Sequence, residues 1–209
     1  MNEARNSVAV LGGAFDPVTD GHIAAAKYVL DACGIFDEVW LMPCLCHMYA
    51  KRMEAPHHRL RMCEIAAESV GGVVVSPYEI DRGLGGKTSE LVRRLLAEDF
   101  PGARYDFSFV IGMDNANSFG RWASHKDLER AARFVVVPRP GIEPGGKFRW
   151  YESPPHILVP SSDRLIQTSS TLVRSMLRKG QHDMAAEHLH PGVLDYIKEH
   201  GLYGRIEGP

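Results

Sequence analysis

Six short apolar runs, rich in β-branched residues, punctuate the first three-quarters of this chain, with helical patterns between most of them. They are Val8–Leu11, Val39–Met42, Val73–Val75, Phe107–Gly112, Phe134–Val137 and Ile157–Val159. Near-continuous apolar strands alternating with helices imply a parallel sheet covered on both faces, because such strands have no solvent side to keep polar. The spacing predicts helices over Gly21–Cys33, Pro56–Ser69 and Thr88–Glu98, and another opening near Ser124 as its N-cap. Ile23, Ala26, Leu30 and Cys33 share one face of the first. From Ser169 onward the chain reads as a C-terminal helical segment. The Gly- and Pro-rich stretch Pro138–Pro155 reads as a long exposed loop, since a strand resumes after it. The expected fold class is α/β, with ligands beyond the C-terminal ends of the strands, where neighbouring connections diverge.

A chain of 209 residues is long enough for one α/β domain, expected here to span 1–209. The formal charge of −2 excludes broad charge-driven binding to nucleic acid while leaving room for a local anion pocket. The polar start Met1–Arg5 does not read as a signal peptide. No run approaches the ~18 apolar residues of a membrane span. Four cysteines (Cys33, Cys44, Cys46 and Cys63) do not form a disulfide framework, so a reducing cytoplasm is expected. A homo-oligomer is compatible with all of this.

The first strand runs into Gly12-Gly13-Ala14-Phe15-Asp16-Pro17-Val18-Thr19-Asp20-Gly21-His22. Paired glycines at a strand end let backbone N–H groups approach an anion, and the following helix adds its positive end. The spacing matches neither the dinucleotide fingerprint nor a P-loop. Thr19 and His22, three apart at the helix start, fall on one side of a single turn. A tight turn with a Thr19 or Asp20 cap would explain the glycines alone; it does not explain a hydroxyl and an imidazole aimed together at a strand terminus. This stretch resembles the signature of the nucleotidylyltransferase superfamily, with Thr19 where many members carry a first histidine.

A second element, Ser169-Ser170-Thr171-Leu172-Val173-Arg174, opens the late helix. Hydroxyls supply caps, and the Arg174 fork suits phosphate oxygens. It is similar to the superfamily's second signature, which grips the β- and γ-phosphates of ATP. A third stretch, Phe109-Val110-Ile111-Gly112-Met113-Asp114-Asn115, is followed by Trp122 and by Val136-Val137-Pro138-Arg139-Pro140-Gly141. Together these resemble the nicotinate/nicotinamide mononucleotide adenylyltransferases, over almost the whole chain. Gly112 ends a strand where backbone must come close to a ligand, Asp114 can accept from ribose hydroxyls, and Trp122 can stack on a pyridine ring.

The resemblance implies a Rossmann-like sheet and AMP transfer from ATP to a pyridine mononucleotide. Its implied catalytic residues are Thr19, His22 and Arg174. ATP would be held by Gly12, Gly13, Ala14, Phe15, Gly21, His22, Gly112, Asp114, Ser170, Thr171 and Arg174. The acceptor would meet Asp16, Lys51, Thr88 and Trp122. The acceptor loop departs from the family's Pro-Pro-His-Lys-like form, reading Pro43-Cys44-Leu45-Cys46-His47-Met48-Tyr49-Ala50-Lys51, and Lys87-Thr88 stands for the usual Tyr-Thr. These departures leave both nicotinate and nicotinamide acceptors open, with nicotinate favoured.

A phosphate monoester is largely dianionic at neutral pH, its second pKa lying near ~6, so the nucleophile needs no general base. Catalysis reduces to aligning two anions and stabilising the leaving pyrophosphate. Mg²⁺ is expected with ATP as co-substrate, carried on its phosphates. No protein-held metal is expected. Cys44, Cys46, His47, His57, His58 and Cys63 lack a usual zinc spacing, and His57-His58-Arg59 suits a surface position at a helix start. Two other readings share some of these features: a phosphopantetheine adenylyltransferase-like enzyme, and an inactive nucleotide-binding regulatory protein. The Gly-Met-Asp-Asn stretch argues against the first, and an intact Thr19, His22, Thr171 and Arg174 against the second.

Overall fold

The computed structural model describes residues 5–46, 52–97, 104–145 and 149–204. Six strands form one sheet: β1 (Asn6–Gly13), β2 (Glu38–Pro43), β3 (Val73–Val75), β4 (Tyr105–Gly112), β5 (Arg133–Val137) and β6 (Ile157–Leu158). Their order is β3-β2-β1-β4-β5-β6, and every pairing is parallel. The Rossmann-like α/β expectation is met. The chain builds outward from β1 to β3, then returns to the other side of β1 with β4. The connections leaving β1 and β4 therefore diverge, opening a crevice between Gly13 and Gly112 at the C-terminal edge.

Side chains alternate across each strand and sort the core into two layers. Val8 and Val10, with Phe107, Phe109, Ile111, Phe134 and Val136, face one side. Helices α3 (Tyr78–Asp81), α4 (Thr88–Ala97), α5 (Met113–Ser118) and α6 (His125–Ala131) belong to that half. The opposite face is built of smaller residues, Ala9, Val39, Val110, Val135 and Val137. It takes α1 (Asp20–Cys33), α2 (Pro56–Ala67), α7 (Ser170–Arg178), α8 (His182–Ala186) and α9 (Pro191–Glu199). Ala26 and Val29 of α1 are fully buried there, the shallow surface admitting the helix closely.

Most predicted elements lie within a residue or two of their expected bounds. Glu98 lies outside the described residues. Three local readings change. Ser124 stands at the α6 N-cap but in a left-handed conformation, φ 57°, and its side chain caps nothing. The Pro138–Pro155 stretch is not all exposed: Trp150 stacks on Phe119 at 4.0 Å between ring centres, and Tyr151 is buried. A lone aromatic pair in a loop gives no periodic signal, and its partners are distant in sequence. Arg59, expected on the surface, is fully buried.

Gly21 has a packing reason for its identity. A Cβ there would lie 2.6 Å from Thr168 Cγ2 and 2.9 Å from the Ile166 carbonyl oxygen. The second contact is backbone, so the β6–α7 connection would have to move. Overpacking of this kind costs ~1–3 kcal/mol, and each kcal/mol lowers the Tm of a domain this size by roughly 2–4 °C. Gly21→Ala is expected to melt about 2–12 °C below wild type in calorimetry.

Candidate active site

At the crevice, Phe15 turns the chain out of β1 in a left-handed conformation, φ 46°, with its ring 2% exposed. A bulky residue held in this region costs ~1–3 kcal/mol, retained here by tight surroundings. The Phe15 ring meets His22 edge-on at 5.1 Å. Thr19 is the N-cap of α1, and its backbone N–H donates to His22 Nδ1 at 3.0 Å. Its hydroxyl lies 2.8 Å from the same nitrogen. Because Nδ1 accepts from a backbone amide, the ring proton sits on Nε2. Burial, and then the Arg139 cation, lower the His22 pKa to about 4. His22 is thus a neutral imidazole with a fixed tautomer, its Nε2–H available as a donor. The structure brings Thr19 and His22 together as expected, but buries Thr19 behind the ring, 2% exposed.

The late motif docks on the same turn. Ser170 Oγ donates to the Pro17 carbonyl at 2.8 Å, and Arg174 Nη1 to the Asp16 carbonyl. Arg174 Nη2 also donates to Thr171 Oγ1 at 3.2 Å, while Ser169 caps α7 by accepting from the Leu172 N–H. The guanidinium sits 3.6 Å from the Asp16 carboxylate. Helix α7 therefore points its N-terminal amides and a half-buried arginine toward the β1–α1 turn, an arrangement that attracts anions.

Asp16, expected on the acceptor side, lies beneath the turn at 2% exposure. Its Oδ1 accepts from Tyr203 Oη at 2.8 Å and from the Glu54 N–H at 3.1 Å. Burial first, and then Asp16, push the Tyr203 pKa up, keeping that hydroxyl a donor. Gly21 likewise serves packing. Gly12 is open: a Cβ there would meet nothing within 4 Å, whereas one on Gly13 would press on the Phe15 ring at 3.3 Å. Ala14 is held through its carbonyl, which accepts from Arg59 at 2.7 Å.

Across the crevice, Asp114 in the first turn of α5 pairs with Arg139 at 3.0 Å. Its Oδ1 has no hydrogen-bond partner among the described residues. Gly112 makes room for this carboxylate, since a Cβ there would stand 2.6 Å from Asp114 Oδ1. Trp122 leans on Phe119 at 5.3 Å and is half-buried, leaving ring surface accessible. Thr88 is the first residue of α4, also half-buried. Lys51 and His47 lie outside the described residues. Arg139 received no role from the sequence, yet it pairs with Asp114 and its charge helps to lower the His22 pKa; its Val-Pro-Arg-Pro-Gly context was the available signal.

A family model described as Cytidylyltransferase-like matches residues 10–176. A Myxococcus xanthus protein named "Probable nicotinate-nucleotide adenylyltransferase" is 37% identical over 204 residues, covering 97% of each chain. The chain belongs to the nicotinate-nucleotide adenylyltransferase family. A Streptococcus pyogenes relative of the same name is 33% identical, covering 95% of this chain and 89% of that one. In structure, the Plasmodium falciparum nicotinic acid mononucleotide adenylyltransferase complexed with NaAD superimposes with a TM-score of 0.71. At 20% identity, over 95% of this chain and 98% of that one, it supports the fold. The family therefore supplies an adenylyltransferase frame for the crevice that β1, β4 and α7 enclose.

The fixed His22 tautomer has a direct consequence. In the free protein the His22 ring is expected to stay neutral and Nε2-protonated from pH 8 down to about 5.5. Nitrogen-15 correlation spectra of the imidazoles test this; a His22 midpoint near 6.5 would show that the ring is solvated and unheld.

Proposed function

We infer that this protein transfers AMP from ATP to nicotinate mononucleotide, forming deamido-NAD and pyrophosphate. The single observation that carries the reading is the docking of α7 on the Asp16–Pro17 turn. In this reading it brings the Arg174 fork and the His22 donor to one anion-attracting crevice, although they stand 152 positions apart in sequence.

In this reading ATP lies with its phosphates over open Gly12 and its ribose near the free Oδ1 of Asp114. Approach of a ribose hydroxyl to Asp114 gives that buried oxygen the partner it lacks. The acceptor phosphate attacks the α-phosphorus in line; its oxygen forms the new P–O bond as the bond to pyrophosphate breaks. His22 donates Nε2–H to a non-bridging oxygen as negative charge moves across the α- and β-phosphates. Thr19 holds the ring at the required tautomer. Arg174, with Ser170 and Thr171 at the α7 start, stabilises the leaving pyrophosphate through paired N–H bonds. No proton transfer is demanded of any side chain, which fits a histidine kept neutral.

Trp122 offers a ring face to the pyridine, and Thr88 a hydroxyl and helix-start amides to a ring carboxylate. Lys51 is assigned to the acceptor phosphate. Nicotinamide mononucleotide is expected as a poorer acceptor. Among the described residues no three His, Cys, Asp or Glu side chains converge to hold a metal ion. Mg²⁺ is expected to be carried on the ATP phosphates, since it commonly keeps its waters and takes few protein ligands. When bound, the ion neutralises polyphosphate charge.

The test is pyrophosphate release with ATP against nicotinate mononucleotide, nicotinamide mononucleotide and phosphopantetheine in parallel. Nicotinate mononucleotide should give the highest kcat/KM; turnover confined to phosphopantetheine would overturn the assignment. In the same assay His22→Ala should lower kcat by ~10²–10³ with little change in KM for ATP, the scale of one preorganised donor lost. Arg174→Lys should also lose at least ~10-fold in kcat/KM for ATP, because an ammonium cannot reproduce the fork. Wild-type kinetics in either variant would remove that residue from the mechanism.

A further inference from the structure

Tyr203, in the turn that follows α9, takes no part in the scheme above. It is 6% exposed, and its ring packs in the same core layer as Ile197 and Leu202. A phenylalanine ring would fill that space equally well, so the hydroxyl answers to something other than packing. Its backbone is left-handed, φ 58°, a conformation costly for a bulky residue and retained only where the surroundings impose it. Two long-range bonds impose it. The Tyr203 N–H donates to Glu54 Oε1 at 3.3 Å, and Oη donates to Asp16 Oδ1 at 2.8 Å, across 187 positions of sequence.

Glu54 closes a ring with these two residues, since its own N–H donates to the same Asp16 oxygen at 3.1 Å. Asp16 Oδ1 thus receives two donors. Oδ2 is the oxygen left to Arg174, 3.6 Å from Nη1. That same nitrogen donates to the Asp16 carbonyl, and Nη2 donates to Thr171 Oγ1 at 3.2 Å. The Arg174 and Asp16 side chains are 19% and 3% exposed, so solvent screens their attraction little. Yet 3.6 Å is longer than a charge-assisted hydrogen bond, which runs to ~2.7–2.9 Å. A carboxylate already satisfied on Oδ1 therefore orients the guanidinium without gripping it. The fork, with five N–H groups in all, keeps donors for a ligand.

We propose that Tyr203 is a positioning residue for Arg174: its hydroxyl occupies Asp16 Oδ1, so that the carboxylate steers the Arg174 fork without capturing it. The proposal rests on the function inferred above and adds a residue to its leaving-group side. Without the hydroxyl, a buried carboxylate lacks a donor, and the loss is costly enough to draw in a neighbour. Arg174, already beside it, closes on Asp16 and withdraws N–H groups from the pyrophosphate. The acceptor phosphate attacks from the opposite side of the α-phosphorus and is spared.

Tyr203→Phe removes one oxygen and keeps the ring. In pyrophosphate-release kinetics its kcat should fall about tenfold, the lower end for a hydrogen bond to a charged group. KM for nicotinate mononucleotide should stay within about twofold. In an Arg174→Lys background the same change should cost less than about twofold, since the fork it positions is gone. Leu202→Ala thins the same core without touching the Asp16 bond; it should lower the Tm yet leave kcat within about twofold. Unchanged kcat in Tyr203→Phe would overturn the proposal. So would an equal loss in the Arg174→Lys background or in Leu202→Ala, either of which would make the hydroxyl a matter of general stability. Wild type inert towards every pyridine mononucleotide would instead overturn the function. Proton NMR of the free wild-type protein then still tests the contact and needs no variant. The Tyr203 hydroxyl proton should be resolved and slow to exchange, and exchange at the solvent rate would exclude the bond to Asp16.

Discussion

Two hydrogen bonds hold the catalytic end of this molecule together: Ser170 to the Pro17 carbonyl and Arg174 to the Asp16 carbonyl. They are the point at which the C-terminal helices, otherwise packed on the small-residue face of the sheet, meet the first strand's exit. Asp16 extends the junction downward, its carboxylate accepting from Tyr203 and from the Glu54 amide. Arg59 extends it sideways to Ala14 and Cys44. One turn, residues 14–17, is thereby fixed from three directions, which explains how it sustains a left-handed Phe15 and still presents His22 in one orientation. Strain in this turn is offset by contacts made far away in sequence.

Electrostatics at the crevice follow from that rigidity. A solvated histidine would be partly protonated at neutral pH and would bind polyphosphate as a cation, in ground state and transition state alike. Such uniform binding improves affinity without accelerating transfer. In the function proposed above, a neutral imidazole pinned through Nδ1 gives less to the ground state and keeps its donor for the charge that develops. The cations are placed apart from it: Arg174 on α7, and Arg139 beyond β5, paired with Asp114. Burial first, and then the Arg139 cation, hold His22 neutral, while the Thr19 amide on Nδ1 fixes its tautomer.

Much of this was readable in the sequence because its signals are local. The β-branched runs marked all six strands, and Gly12–His22 with Ser169–Arg174 marked both halves of the crevice. What escaped depends on long-range contact. Helices α3 and α5, four and six residues long, are too short to show a period. Trp150 looked like a loop residue until Phe119 and Phe134 were seen beneath it. Arg59 carries a charge at a helix start, where exposure is the ordinary outcome. Its burial follows from carbonyls of three separate segments that only the fold brings within reach. Asp16 was read as a ligand contact for the converse reason, since a motif records that a residue matters and not which way it faces.

His22 and Glu79 also pull the pH dependence of stability in opposite directions. His22, lowered to about 4 from an ordinary 6.5, contributes stability that is complete above about 6.5 and is lost as pH falls toward 4. Glu79, raised to about 7 from 4.5, contributes most when protonated; that contribution is present below 4.5 and is lost as pH rises through 7. Displacements of this size on groups this buried are each worth on the order of 3 kcal/mol. Between about pH 4.5 and 6.5 the two offset one another, and acidification over that range leaves the fold nearly indifferent to this pair. Above 7 the balance is one-sided: His22 is already neutral, and the buried Glu79 carboxylate remains charged at a cost to the fold.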